Sequence, residues 1–322
     1  MRAIRISAHG GPEALEPAEL DRPAPQAGQL LVEVAAAGVN FIDTYQRSGL
    51  YEVPLPFVPG VEGAGTVREV GPDVAGFSPG DRIAWAMSPG GYAEHAVVPA
   101  RNAVRIPDAV EDRTAAAAML QGLTAHFLVN STHPVRAGET ALVHAAAGGV
   151  GLLLTQLIKA RGGNVIGTVS TGEKERLARR AGADEIIRYA EADVAEEVRD
   201  LTDGRGVDVA YDGVGKDTFD GSLAVLRPRG TLALFGASSG PVPPVDPQRL
   251  NSAGSVFLTR PSLAHHILSR EELDWRAGEL FQAVAAGTLD IRIGATYPLA
   301  EARTAHEDLE GRRSTGKLLL LP

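Results

Sequence analysis

The 322-residue chain has no cysteine. That one absence excludes disulfides, thiolate-held zinc, iron–sulfur ligation and thiol nucleophiles. Histidine does not fill the gap. The eight histidines are scattered, none in a His-Glu-x-x-His spacing, and the adjacent pair His265-His266 points apart on either a helix or a strand, so no metal site is expected. No apolar run approaches the roughly 18 residues of a membrane span. The first ten residues, Met1 to Gly10, lack the continuous apolar stretch of a secretory signal, and a cytoplasmic location is the default expectation. Basic runs are absent too: 31 basic against 40 acidic residues leave a net charge of −9, which argues against a broad nucleic-acid surface.

What is present is most concentrated in Thr140-Ala-Leu-Val-His-Ala-Ala-Ala-Gly-Gly-Val-Gly-Leu-Leu-Leu154, which reads without a break as buried strand, glycine turn and helix start. Ala146 to Gly151 fits the G-x-G-x-x-G dinucleotide fingerprint with alanine in the first position. In such a turn Gly148 lets the backbone approach a pyrophosphate and Gly151 lets the helix, read as Val150 to Ala160, pack closely on the strand. The helix N-terminus offers N–H donors and a positive dipole end to the anion. A second apolar run, Asn164 to Val169, follows at the spacing of a βαβ unit.

The end of that second strand selects the cofactor, because an Asp or Glu there would bind the ribose 2′-hydroxyl of NAD. This chain has Val169-Ser170-Thr171 followed by Lys174. Hydroxyls from Ser170 and Thr171 with the Lys174 ammonium suit a 2′-phosphate, which favours NADPH over NADH; an ordinary surface lysine is the competing reading of Lys174. Glu173 is read as a first-turn residue complementing the helix dipole.

The chain before about residue 113 alternates in short β-like runs, 30–35, 65–70, 82–85 and 94–98, each punctuated by Gly or Pro, as in a twisted, barrel-like domain. From Gly138 strand-like runs at 140–144, 164–169, 184–188, 207–212, 231–235 and 255–259 alternate with helical segments, the pattern of a doubly wound parallel sheet. A helix (271–286), a strand (295–299) and a closing Lys317-Leu-Leu-Leu-Leu321 remain. The expected division is 1–123, a β-rich domain; 124–262, a Rossmann-type NADPH domain; and 263–322, a return to the first.

Several motifs together resemble the zinc-free medium-chain dehydrogenase/reductases, near the zeta-crystallin type of quinone oxidoreductase: Asn40-Phe-Ile-Asp-Thr-Tyr-Gln-Arg-Ser-Gly-Leu-Tyr51, Pro59 to Gly65, Gln121 to Ala125, His144 to Gly151, Tyr211 to Gly215, Phe235 to Gly240 and Thr259 to Ser262. Where zinc-dependent relatives carry Gly-His-Glu, this chain has Gly60-Val61-Glu62. The resemblance implies that the 1–123 domain is a GroES-like catalytic domain, that Ala147, Gly148, Gly149, Val150 and Gly151 hold the pyrophosphate and that Tyr189 lies over the adenosine end. It also implies that Thr124, Phe235, Ser238, Arg260 and Lys317 line the cofactor, with Asn40 near the nicotinamide ribose and phosphates. Gly213 departs from a more usual serine near the nicotinamide, and Lys317 replaces a different polar residue of some members.

A quinone needs only hydride or electrons from the nicotinamide and protons from water, so the expected protein contribution is placement and hydrogen-bond donors. Asn40, Tyr45 and Tyr51 are the candidates, with Tyr51 open to a second reading as a cover for the pocket. Asp43 is read as orienting Tyr45 or a backbone turn, with a base as the competing role. The expected activity is zinc-independent NADPH:quinone reduction. Its alternatives are NADPH-dependent reduction of α,β-unsaturated ketones or aldehydes, for which Tyr51 is the nearest proton donor, and a non-catalytic NADPH- and RNA-binding role. The resemblance further implies a homodimer formed through the edge strand around 255–259.

Overall fold

Glycine and proline cut the first third of the chain into short pieces, and in the computed structural model, which describes residues 1–322, those pieces are strands. They are β1 (Arg2–Arg5), β2 (Glu16–Glu19), β3 (Gln29–Val39), β4 (Glu62–Val70), β5 (Arg82–Ala86), β6 (His95–Pro99) and β7 (Ala103–Arg105), with α1 (Phe41–Ser48) after β3 and α2 (Asp112–Phe127) after β7. The middle of the chain holds β8 (Thr140–Val143), α3 (Gly149–Ala160), β9 (Asn164–Val169), α4 (Gly172–Arg180), β10 (Glu185–Arg188), α5 (Val194–Leu201), β11 (Val207–Asp212), α6 (Phe219–Ala224), β12 (Leu226–Leu234), α7 (Gln248–Ser252) and β13 (Phe257–Thr259). The chain closes with α8 (Arg270–Ala285), β14 (Ile293–Pro298), α9 (Ala302–Glu310) and β15 (Lys317–Leu321). Two units result, residues 1–123 with 266–322 and residues 124–265.

In the first unit a seven-stranded sheet runs β14-β15-β3-β4-β5-β7, with β6 also on β3. The all-leucine end of β15 pairs antiparallel with β3, Leu318 opposite Val39 and Leu320 opposite Ala37, so the last strand lies beside the first long one. Leu30, Val32, Val67, Ile83, Trp85, Val98, Leu318 and Leu320 bury their apolar surface in one core. Helix α2 was invisible to periodicity for a physical reason: Ala115 to Met119 are all buried, so it has no polar face to alternate with.

The second unit is a six-stranded parallel sheet in the order β10-β9-β8-β11-β12-β13. Counted from β8, that is the 3-2-1-4-5-6 order of dinucleotide-binding folds, whose ligands sit at the carboxyl ends of the strands. Leu142, Ile166, Ile187, Val198, Val207, Ala210, Leu232 and Leu234 form its core. Two strand starts differ from the sequence pattern by more than one residue. β12 starts earlier, at Leu226, and β13 starts later, because Ser255 adopts a left-handed φ of 56° that ends the extended run. No helix is long and apolar enough to cross a membrane.

Candidate functional site

β8 ends at Val143 and the backbone turns at once, with Ala145 at a left-handed φ of 51°. Gly148 is the N-cap of α3, and its carbonyl accepts the Leu152 N–H at 3.0 Å. The N–H groups of residues 149–151 lie ahead of that bond and have no acceptor within the helix. A Cβ at Gly151 would stand 2.3 Å from the Ala145 carbonyl oxygen, so only glycine lets α3 press onto the turn. A Cβ at Gly148 would come within 3.1 Å of that same oxygen, a tight contact that favours glycine there too. A glycine turn backed by unspent N–H donors fits a diphosphate.

At the neighbouring strand end, Ser170 is half-buried and Thr171 caps α4, its Oγ1 accepting the Lys174 N–H at 3.3 Å. A hydroxyl that accepts one bond keeps its own proton to donate. Ser170, Thr171 and Lys174 stand together where β9 runs into the α4 N-terminus, while Glu173 is exposed in the first turn. Tyr189 follows β10, exposed, its N–H donating to the Val169 carbonyl. Phe235 and Ser238 lie just after β12, Arg260 just after β13, and Thr124 is buried in α2. The absent side chain at 213 has a local cause: a Cβ there would stand 2.8 Å from Cζ of Phe235.

The first unit holds a different kind of site, a buried charged cluster. Lys317 at the start of β15 forms an ion pair with Glu62 at the start of β4, and its Nζ also donates to Asn40 Oδ1 at 2.7 Å. Asn40 Nδ2 donates to Glu62 Oε2 at 2.9 Å, and Glu62 Oε1 accepts the Leu120 N–H of α2 at 2.5 Å. Lys317 and Glu62 are 1 % and 0 % exposed, so two charges are neutralised without solvent. Gly38 makes room for them: a Cβ there would lie 2.1 Å from Glu62 Oε2 and 2.6 Å from Lys317 Cε. Asn40 and Lys317, expected to line the cofactor, are bonded here to Glu62 and to each other.

Asp43 has no exposed surface. Its Oδ2 accepts the Asn40 N–H at 2.9 Å, closing the first turn of α1, and the Tyr92 hydroxyl at 3.0 Å. Tyr92, and not Tyr45, is its side-chain partner. Burial pushes the Asp43 carboxyl up to about 7 against the opposing pull of the Asn40 N–H, the Lys317 charge and the Tyr92 bond. The network continues in one direction. Arg47 Nη1 lies 3.0 Å from His306 Nδ1, and since arginine only donates, that nitrogen accepts. His306 Nε2 then carries the proton and donates to Tyr92 Oη at 3.1 Å, which leaves the Tyr92 O–H for Asp43. Burial and the Arg47 charge hold the His306 ring neutral, down to about 3. Arg47 is anchored by Glu310 at 2.7 Å.

Tyr45 and Tyr51 meet edge to face at 5.3 Å between centroids, Phe41 stands 6.3 Å beyond Tyr45, and the Tyr51 N–H donates to the Tyr45 carbonyl. Tyr51 and Leu50 are exposed. The sequence reading passed over Arg47, Glu62, Tyr92 and His306. Two of the cluster residues carry a signal, a lone acid opening the small-residue strand Glu-Gly-Ala-Gly and a lone lysine opening four leucines, both charges where burial is expected.

A glycine turn on the first strand of a 3-2-1-4-5-6 parallel sheet, in a chain whose other unit is an antiparallel-rich β-domain, defines a two-part dinucleotide-binding protein. Residues 26–108 match the alcohol dehydrogenase GroES-like domain and residues 149–282 the zinc-binding dehydrogenase domain. A quinone oxidoreductase of Pseudomonas aeruginosa is 47% identical over 100% of this chain and 99% of its own length. A 2-haloacrylate reductase of a Burkholderia species is 42% identical over 99% and 98%. A solved mycobacterial structure complexed with NADPH superposes with a TM-score of 0.98 at 52% identity, covering 100% of both chains. The chain belongs to the medium-chain dehydrogenase/reductase family, in its quinone oxidoreductase subgroup. It has no group of three or more histidines and carboxylates placed to hold a metal ion.

Proposed function

We propose that this oxidoreductase transfers reducing equivalents from NADPH to a quinone and does so without zinc. The observation that carries the reading is the full-length identity to a quinone oxidoreductase. The mycobacterial relative complexed with NADPH and the strand end at Ser170, Thr171 and Lys174 support the choice of cofactor.

NADPH, when bound, supplies a hydride from its nicotinamide. The residues of this chain bind and orient. Ala147 to Gly151 receive the diphosphate, and Ser170, Thr171 and Lys174 receive the 2′-phosphate. Tyr189 covers the adenosine, and Thr124, Phe235, Ser238 and Arg260 line the rest. Tyr45 and Tyr51 face the acceptor and offer hydroxyls to the oxygen that gains negative charge. Asn40 and Lys317 act from behind, because their groups hold Glu62 and thereby the junction of β3, β4 and β15. Asp43 fixes the first turn of α1, the helix that carries Tyr45.

The 2-haloacrylate reductase favours a second reading, reduction of activated alkenes. That reaction needs a proton delivered to carbon, and Tyr51 is the exposed tyrosine we assign to deliver it. Homodimerisation through β13 is proposed because this edge strand leaves its outer backbone groups unpaired and exposes Phe257.

Steady-state rates with benzoquinone test the cofactor half of the reading. A clear preference in kcat/KM for NADPH over NADH supports it, and equal use of both, or preference for NADH, contradicts it.

A further inference from the structure

His144 is the last residue before the glycine turn and is almost fully buried. Its ring ties the end of β8 to β9 and α6, and through α6 to the end of β11. Nδ1 lies 3.0 Å from Thr168 Oγ1 on β9, and Nε2 lies 2.9 Å from Ser222 Oγ on α6. Ser222 donates in turn to Asp212 Oδ2, at the end of β11, at 2.8 Å. Asp212 also accepts two backbone N–H groups, from Val214 and Gly215, and the Thr218 hydroxyl.

These partners settle the direction of every bond. Asp212 is an acceptor on all sides, so the Ser222 proton points to it and the Ser222 oxygen accepts from His144 Nε2–H. Nδ1 is then free of a proton and accepts from the Thr168 hydroxyl. Burial lowers the affinity of His144 for a second proton, against the pull of Asp212, which keeps the ring in this neutral form. Backbone bonds reinforce the same layer, His144 N–H to the Tyr211 carbonyl at 3.1 Å and Ala146 N–H to the Thr168 carbonyl at 3.0 Å.

We infer that His144 is a positioning residue for the cofactor, a strut that holds the diphosphate turn at a set distance from the Ser170–Lys174 segment, which begins two residues beyond Thr168. The inference rests on the NADPH reading above. A dinucleotide carrying a 2′-phosphate must satisfy the turn and the β9 end together, whereas NADH engages the turn without the 2′-phosphate contact. Loosening the strut therefore weakens NADPH more than NADH.

Ser222→Ala removes one link and leaves Asp212 its other donors. The expected result is an NADPH Kd raised by about three- to tenfold, a smaller rise for NADH and an unchanged KM for quinone. His144→Leu is expected to weaken NADPH further, and His144→Gln, which retains a donor directed at Ser222, to restore most of the affinity. A lowered melting temperature with an unaltered NADPH Kd in Ser222→Ala overturns the positioning role. Lys174→Ala separates the two readings. NADPH weakened there but not in Ser222→Ala overturns the strut alone, and NADPH weakened in neither overturns the strut and the phosphate site together.

Discussion

The two units solve the problem of a site in opposite ways. The second offers a candidate site made from what glycine omits and from backbone N–H groups, with the His144–Ser222–Asp212 network beneath it; its proposed residues from Ala147 to Lys174 fall within a single βαβ stretch. The first builds its site from buried charge, with Asn40, Glu62, Tyr92, His306 and Lys317 gathered from both ends of the chain. A backbone site is tuned by small steric steps. A buried charged cluster is all-or-none, because removing one partner strands the other without solvent.

The largest effect should therefore come from Lys317→Met. Leaving Glu62 buried and unpaired is expected to cost about 3–5 kcal/mol in denaturant unfolding, and adding Glu62→Gln should return much of it. An equal loss in the single and double variants would break the contrast.

Acid sensitivity comes next. In the folded chain Asp43 is raised to about 7 from an ordinary 3.8, so its stabilising contribution is full below the ordinary value and is lost as pH rises through 7. His306 runs the other way, lowered to about 3 from 6.5, so its contribution is full above 6.5 and is lost as pH falls toward 3. Between these ordinary values the two slopes oppose, each about 1.4 kcal/mol per pH unit. Asp43→Asn removes one of them, and unfolding midpoints from neutral to mildly acidic pH should then fall more steeply than those of the wild type. Parallel curves would contradict the assignment.

In the second unit a single contact should carry less. Lys174→Ala is expected to raise the KM for NADPH about tenfold, roughly 1.4 kcal/mol, and to leave NADH unchanged. Smallest of all for the quinone, Tyr51→Phe should lower quinone turnover only a few-fold, because Tyr45 still offers a hydroxyl to the oxygen, while lowering any enone turnover at least tenfold, since only the second reaction needs a proton placed on carbon.

The same contrast explains what could be read without coordinates. The glycine turn, the alternation of strands with helices and the Ser170-Thr171-Lys174 segment were legible because each is local: the strand, turn and helix that give them meaning are contiguous in sequence. The role of Gly38 was not, since it depends on Glu62 and Lys317, and neither was the Asp43–Tyr92–His306–Arg47 chain, whose members lie up to 263 residues apart when Glu310 is followed back to Arg47. Asn40 illustrates the boundary. Its place in the motif Asn40–Tyr51 was legible, and the spending of its amide on Glu62 and Lys317 was not.

The central claim is that NADPH is oxidised here by a quinone. Its most direct test is a competition: limiting NADPH, equal concentrations of phenanthrenequinone and an enone, and product analysis after all NADPH is consumed. The account predicts that the hydroquinone takes nearly all of the reducing equivalents. Reduced enone as the main product would contradict it.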